Sequence, residues 1–339
     1  MQSTIRVNLT AMMMASAAIF ATTATALSQE KPLIAFAQEG LYNSWRTANN
    51  DSILAEAEKA GYKIQWVQAE GDQSKQVAQV QDLLKLKPKV LIVEPAEQQA
   101  ATPIAALADA AGVPLIVADR GLGVPPGKGQ YKILIEVDWK AVGVELGKSA
   151  VDALKLRKGS PAGNIVELVG TVGSTPQIGM DEGFKSVISA HPDIKIIATQ
   201  DGHNERGPGL TIMENFLTAH PAGQIDLVWA QNDEMAIGAL KAIQAAGRDE
   251  LLGGILSKDG QLEAVKEVAA GNFAADCTNT PYFGPIIMPY VADLLAGKEI
   301  PAHPPKPFIC INSLTDTAKK EAQDLLAQMQ DQKMAFAPK

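Results

Sequence analysis

The chain is poor in histidine and cysteine, carries no basic excess, and has almost no long apolar run. Each shortage removes a class of function. Its four histidines (His191, His203, His220 and His303) are scattered through 339 residues. Three of them stand beside proline, where loop turns are expected, and none has a zinc-binding spacing such as H-E-x-x-H. The stretch "GLGVPPG" does not fit G-x-G-x-x-G, and no phosphate-binding P-loop occurs. No catalytic residue, metal or cofactor is therefore expected. Lys and Arg total 30 against 38 Asp and Glu, a net charge of −8. Nucleic acid is not expected as a partner, because phosphate binding needs clustered cations.

The one marked apolar run lies at the start. Arg6 precedes "LTAMMMASAAIFA", which is followed by Ala24-Thr25-Ala26. The run is too short to cross a bilayer comfortably, which takes roughly twenty residues. A basic residue, a short apolar core and a small-x-small site together predict a signal peptide over residues 1–26, cleaved before Leu27. The mature protein is then expected in the periplasm. Export bears on the two cysteines, Cys277 and Cys310. An even count in an oxidising compartment favours a disulfide over a metal pair or a catalytic thiol. Two separate buried thiols are the alternative.

What the mature chain does have is alternation. Short apolar runs ("PLIAFAQ", "YKIQWVQ", "KVLIVEP", "VPLIVAD", then "NIVELVG", "IKIIATQ", "DLVWAQND", "GGILSKDG", "FAADCTN") are separated by helical patterns such as "VAQVQDLLKLKP". Near-continuous apolar strands alternating with helices predict parallel sheets covered on both faces. The pattern pauses at "RGLGVPPGKGQ" and restarts after Gly159-Ser160-Pro161, which predicts two α/β lobes.

Nearly every strand ends on a hydrogen-bonding group: Gln38, Glu94, Asp119-Arg120, Thr171, Gln200-Asp201, Gln231-Asn232-Asp233, Asp259 and Asn279. Ligands sit at the carboxyl ends of strands in open parallel sheets. Two facing sheets would thus line one cleft with amides, carboxylates and a guanidinium, groups suited to adjacent hydroxyls. The first loop, "QEGLYNSWRTANN", adds Asn43, Trp45 and Arg46. Trp45 offers a flat face to a sugar ring, or else staples the following helix to the sheet.

In "SWRTA", "VPLIVADR", "VELVGTVGST", "DEGF" and "AQNDEMAIGALKAI", in that order, the chain resembles the periplasmic sugar-binding proteins of ABC importers. The resemblance is to the ribose-binding type, and within it to the galactofuranose-binding proteins. It implies a periplasmic-binding-protein type I fold, with two Rossmann-like lobes joined by three hinge crossovers. Residues 27–137 plus 280–308 would form the N-terminal lobe and 138–279 plus 309–324 the C-terminal lobe, leaving 325–339 as a tail. It also implies a monomer that takes a monosaccharide or polyol and docks on a membrane permease.

Carried onto this chain, the resemblance makes Trp45, Arg46, Asp119, Arg120, Asn232, Asp259 and Asn279 ligand contacts, with Gln38 and Asn43 as additions. It brings the segments holding Cys277 and Cys310 side by side, within disulfide reach. Two departures stand out. Ile178, Gly179 and Met180 occupy a segment where the family usually has an arginine, which makes that side of the pocket more apolar. His203 and Asn204 replace an expected aromatic and are polar candidates there. A repressor of the same fold would carry a DNA-binding helix-turn-helix at the end occupied here by the leader. A sugar sensor feeding a chemotaxis or signalling receptor is the alternative to transport.

Overall fold

The computed structural model describes residues 30–338. The expected leader lies outside them. Two sheets make up the architecture. The first is built from β1 (Leu33–Gln38), β2 (Lys63–Gln68), β3 (Val90–Val93), β4 (Leu115–Ala118) and β5 (Tyr131–Ile135), all parallel, in the order β2-β1-β3-β4-β5. The second contains β6 (Gly163–Val169), β7 (Ile194–Asp201), β8 (Leu227–Ala230), β9 (Ile255–Asp259), β10 (Phe273–Thr278) and β11 (Cys310–Asn312), in the order β11-β10-β9-β8-β6-β7. Only β11 runs antiparallel to its neighbour. Apart from β11 the two sheets share one doubly wound order, whose ligand crevice lies outside the strand carboxyl ends.

Alternate side chains of each strand feed opposite faces, and helices cover both. On one face of the first sheet Phe36, Ile92 and Ile116 meet Ile53 of α1 (Ser44–Lys59) and Ile287 of α9 (Gly284–Leu295). On the other, Ala35, Leu91 and Val117 meet Val80 of α2 (Gln73–Lys85) and Ile104 of α3 (Pro103–Ala111). In the second sheet Ile165, Trp229 and Leu256 pack under α4 (Trp139–Lys158) and α5 (Thr175–Ile188), where Phe184 stacks on Trp229 with ring centroids 3.8 Å apart. Its other face carries α6 (Arg206–Ala219), α7 (Asp233–Ala245), α8 (Leu262–Ala270) and α10 (Asp316–Asp331). Fully burying one such aliphatic or aromatic side chain contributes roughly 1.5–3 kcal/mol.

The chain passes between the sheets after Ile135, after Thr278 and again before Cys310. Cys277 and Cys310 lie directly opposite each other in the β10–β11 pair and form a disulfide at this hinge. Residues 325–338 are not a free tail. They complete α10 and then return as a strap, with Ala337 N donating to Gly260 O at 2.7 Å and Phe336 buried against the first sheet's core. One large apolar residue in "AFA" gives no strand or helix pattern to read. Among the described residues no helix is long and apolar enough to cross a membrane.

Candidate ligand-binding cleft

The strand carboxyl ends of the two sheets face each other across a cleft of about 390 Å³, counted out to its mouth. The first-sheet wall is Asn43, Trp45 and Arg46 at the start of α1 and Asp119-Arg120 after β4. The second-sheet wall comes from Thr171 after β6, Met180 on α5, Asn204 after β7, Gln231-Asn232 after β8 and Lys258-Asp259 closing β9. Asn279, leaving β10, stands at the hinge.

Arg46 organises the first wall. Its guanidinium reaches Glu39 at 2.9 Å, Glu94 at 3.0 Å and Asp119 at 2.8 Å, all of them buried. It also lies 4.7 Å from the centre of the Trp45 ring, so only the opposite face of that indole is left for a ligand. Trp45 Nε1 donates to Asn279 O at 2.6 Å, which fixes the ring. Arg120 adds contacts to Glu39 at 3.2 Å and to the carbonyl of Ala96 at 3.1 Å, while its Nε is buried and unpartnered. Burial alone would raise the Asp119 carboxyl. Arg46, Arg120 and Lys258 outweigh it and hold the group down at about 2. Burial pushes Glu94 up to about 7 against the pull of Arg46.

From the hinge, Asn279 Nδ2 donates to Asp119 Oδ1 at 3.1 Å while Asn279 Oδ1 accepts from Lys306 at 2.6 Å. The ammonium of Lys306 therefore sets which way the Asn279 amide points. Burial lowers that ammonium to about 8, with Asp119 opposing the shift.

The second wall is built from amides. Gln231 is fully committed: its Oε1 accepts from Gly170 N, and its Nε2 donates to Glu167 and Asp181. Asn232 caps α7 through Met235 N, and its Nδ2 donates to Asn204 O at 3.1 Å. Asn43 caps α1 in the same manner and reaches across to the same Asn204 carbonyl at 3.0 Å. Further bonds bridge the walls, from Gln98 N to Gly173 O at 2.9 Å and from Gly121 N to Thr175 Oγ1 at 3.0 Å. The two walls are drawn together, as in the closed state of a hinged protein. Asp259 is raised to about 6 by burial, with the adjacent Lys258 ammonium opposing.

Of the residues singled out from sequence, Asn43, Trp45, Arg46, Asp119, Arg120, Asn204, Asn232, Asp259 and Asn279 line this cleft. Gln38 lies behind it, donating to Glu94 and Asn49. His203 points away: it is exposed and pairs with Asp201 at 3.3 Å. Successive left-handed residues, φ 54° at His203 and 61° at Asn204, turn the chain so that only the second enters the cleft. Met180 lines the wall and supplies an apolar patch, while Ile178 is exposed on the outer side of α5. Sequence reasoning passed over Lys258 and Lys306. Lys258 read as a strand residue, and Lys306 sits in a proline-rich connection without any pattern.

Two facing doubly wound sheets, three crossings and polar strand ends on both sides of one cleft define a two-lobed solute-binding protein. Comparison with known families agrees. Residues 34–299 match the periplasmic binding protein domain, and the chain belongs to that family. The ribose import binding protein RbsB of Escherichia coli K12 is 32% identical over 266 residues, 78% of this chain and 85% of that one. The galactofuranose-binding protein YtfQ of the same organism is 31% identical over 299 residues, 86% of this chain and 90% of its own. A Mycobacterium smegmatis protein solved with β-D-fucofuranose superposes with a TM-score of 0.80 at 31% identity, covering 89% of this chain and 96% of that one.

Proposed function

We propose that this protein captures a monosaccharide, in furanose form, or a polyol of similar size, and delivers it to the permease of an ABC importer. The observation that carries the reading is the convergence of Asp119 and Arg120 from one wall with Asp259 from the other, beside Asn279. Carboxylates accept from hydroxyls, guanidinium and amide N–H groups donate to them, and one buried site holds both kinds. Relatives named for ribose and galactofuranose and a neighbour holding a fucofuranose support the same ligand class.

In this reading Asp119 and Arg120 grip adjacent hydroxyls and Asp259 takes another from the facing wall. Asn279 donates its free N–H, and Trp45 presents the indole face that Arg46 leaves open. Asn43, Asn204 and Asn232 hold the lips together once the ligand has drawn the sheets in, a hinge closure around solute. Binding, not turnover, is the activity. The leader over residues 1–26 would route the protein to the periplasm, where it works as a monomer.

A thermal-shift screen against pentoses, hexoses and linear polyols tests this. The reading expects at least one compound to raise the melting temperature by several degrees, since a ligand at a hundred times its Kd adds about 2.7 kcal/mol. A panel with no stabilising member would overturn it.

A further inference from the structure

Lys258 has no place in the roles above, yet it is part of the wall. It ends β9 beside Asp259, is 8% exposed, and lines the cleft. Its Nζ donates to Asp259 Oδ1 at 2.7 Å and lies 5.1 Å from the centre of the Trp139 ring. An ammonium has three donors. One goes to Asp259, and no other protein acceptor is within bonding distance among the described residues. Two N–H groups therefore remain at a buried, cleft-lining position, where leaving donors unpaired is costly.

Its location repeats that of Asp119-Arg120. In the shared strand order, β4 and β9 occupy the same place, next in line after β3 and β8. Each ends on a carboxylate coupled to a neighbouring cation, and each carboxylate residue has a positive φ, 61° at Asp119 and 143° at Asp259. Non-glycine residues rarely adopt such angles. The surrounding structure must hold them there, as functional sites often do. Among the described lining residues of the second wall, Lys258 is the single cation, and α5 contributes Pro176, Gln177 and Met180, none of them charged.

We propose that Lys258 is a specificity-determining residue, whose ammonium donates to the oxygen of one ligand hydroxyl while Asp259 accepts from that hydroxyl or its vicinal neighbour. The inference rests on the sugar or polyol reading given above. A hydroxyl both donates and accepts; Asp259 can satisfy only the first need, and Lys258 supplies the second. An analogue lacking that hydroxyl would leave two buried N–H groups without acceptors, and sites built to bind a hydroxyl reject such analogues strongly.

The test uses the strongest ligand from the screen together with its monodeoxy analogues, titrated by calorimetry into wild type, Lys258→Met and Lys258→Gln. Circular dichroism checks that each variant is folded, and Lys258→Gln carries the test if the methionine variant is not. Wild type should discriminate more than tenfold against one deoxy analogue. The variants should bind the parent at least tenfold more weakly but that analogue about as well as wild type does, so that discrimination collapses. Unchanged discrimination, with or without a general loss of affinity, would overturn the role of Lys258 while leaving the ligand class intact. Failure of wild type to bind any sugar or polyol would instead remove the underlying reading, and this inference with it.

Discussion

The two walls of the cleft differ in how they handle charge, although burial raises Glu94 behind the first to about 7 just as it raises Asp233 behind the second. On the first, Arg46 is saturated by Glu39, Glu94 and Asp119, Arg120 pairs with Glu39 while keeping its Nε unpartnered, and Asp119 is held ionised at about 2. On the second, amides dominate and burial raises the carboxyls. Asp259 moves to about 6. Asp233, just behind it, is raised to about 7 by burial and by the Asp259 charge. Asp276 is also raised well above its ordinary value by burial and by Asp233 beside it, and both its oxygens lack a hydrogen-bond partner. The first wall is thus a preset ionic cradle. The second is a softer surface whose protonation can follow its surroundings. Preorganised charge limits the reorganisation needed on binding, and raised carboxyls link the partner wall to pH.

The comparison can be broken most severely at Arg46. Replacing it by methionine strands three buried carboxylates, and losing one partner of a buried ion pair costs about 3–5 kcal/mol. Urea denaturation should show a loss of that size. A loss below about 1 kcal/mol would mean the first wall is not organised by this guanidinium. Removing the hinge disulfide with Cys277→Ser and Cys310→Ser together should cost about 3–4 kcal/mol in the chain-entropy view, read in the same titration. It should leave the charge pattern of both walls unchanged.

The pH dependence sharpens the contrast. Asp233 and Asp276 hold protons in the folded chain that the unfolded chain releases near the ordinary value of about 4. The contribution of Asp233 to stability is complete below about pH 4 and is lost as pH rises through about 7; that of Asp276, whose carboxyl is raised well above its ordinary value, is lost in the same direction as pH rises. Asp276→Asn should flatten that decline and gain relative stability in alkaline buffer. Asp119 has the opposite sign: its contribution is present above about pH 4 and disappears as pH falls toward 2. Glu94, raised to about 7 on the first wall, follows the alkaline pattern, so the single variants separate the walls better than the wild-type profile does. Melting temperatures between pH 3 and pH 9 check both signs.

The smallest effect is expected at the lips. Asn43→Ala removes one cap and one bond to Asn204 O, and capping losses are typically about 1 kcal/mol. Ligand affinity should fall only a few-fold, and a loss beyond a hundredfold would place Asn43 on the ligand.

Much of this was legible in the sequence because strands covered on both faces announce themselves as apolar runs. "KVLIVEP" and "VPLIVAD" became β3 and β4, with every residue of those strands buried. β5 was overlooked, since Tyr131–Ile135 follows a Gly/Pro-rich stretch without a helix to frame it. β11, three residues long, owes its place to pairing with β10, which no local pattern encodes. The polar strand ends Asp119, Asn232 and Asp259 read out as cleft residues because topology alone puts them there. The direction of a side chain depends on partners distant in sequence. Glu94 and Asn49 draw Gln38 behind the wall, and Asp201 holds His203 outside. Lys258 was hidden for the complementary reason, since a lysine ending a strand normally reads as a solvated group.

The claim that both walls close on the hydroxyls of one ligand is tested most directly by calorimetry of wild type and Asp119→Ala side by side, using the screen's strongest ligand at pH 7. Hydrogen bonds to charged groups run at about 1.5–3 kcal/mol, and in the proposed reading the buried Asp119 faces the ligand. The account predicts one-to-one binding by wild type and a loss of about 2–4 kcal/mol, roughly thirtyfold to a thousandfold, in a variant that remains folded. Equal affinity in the two proteins would contradict it.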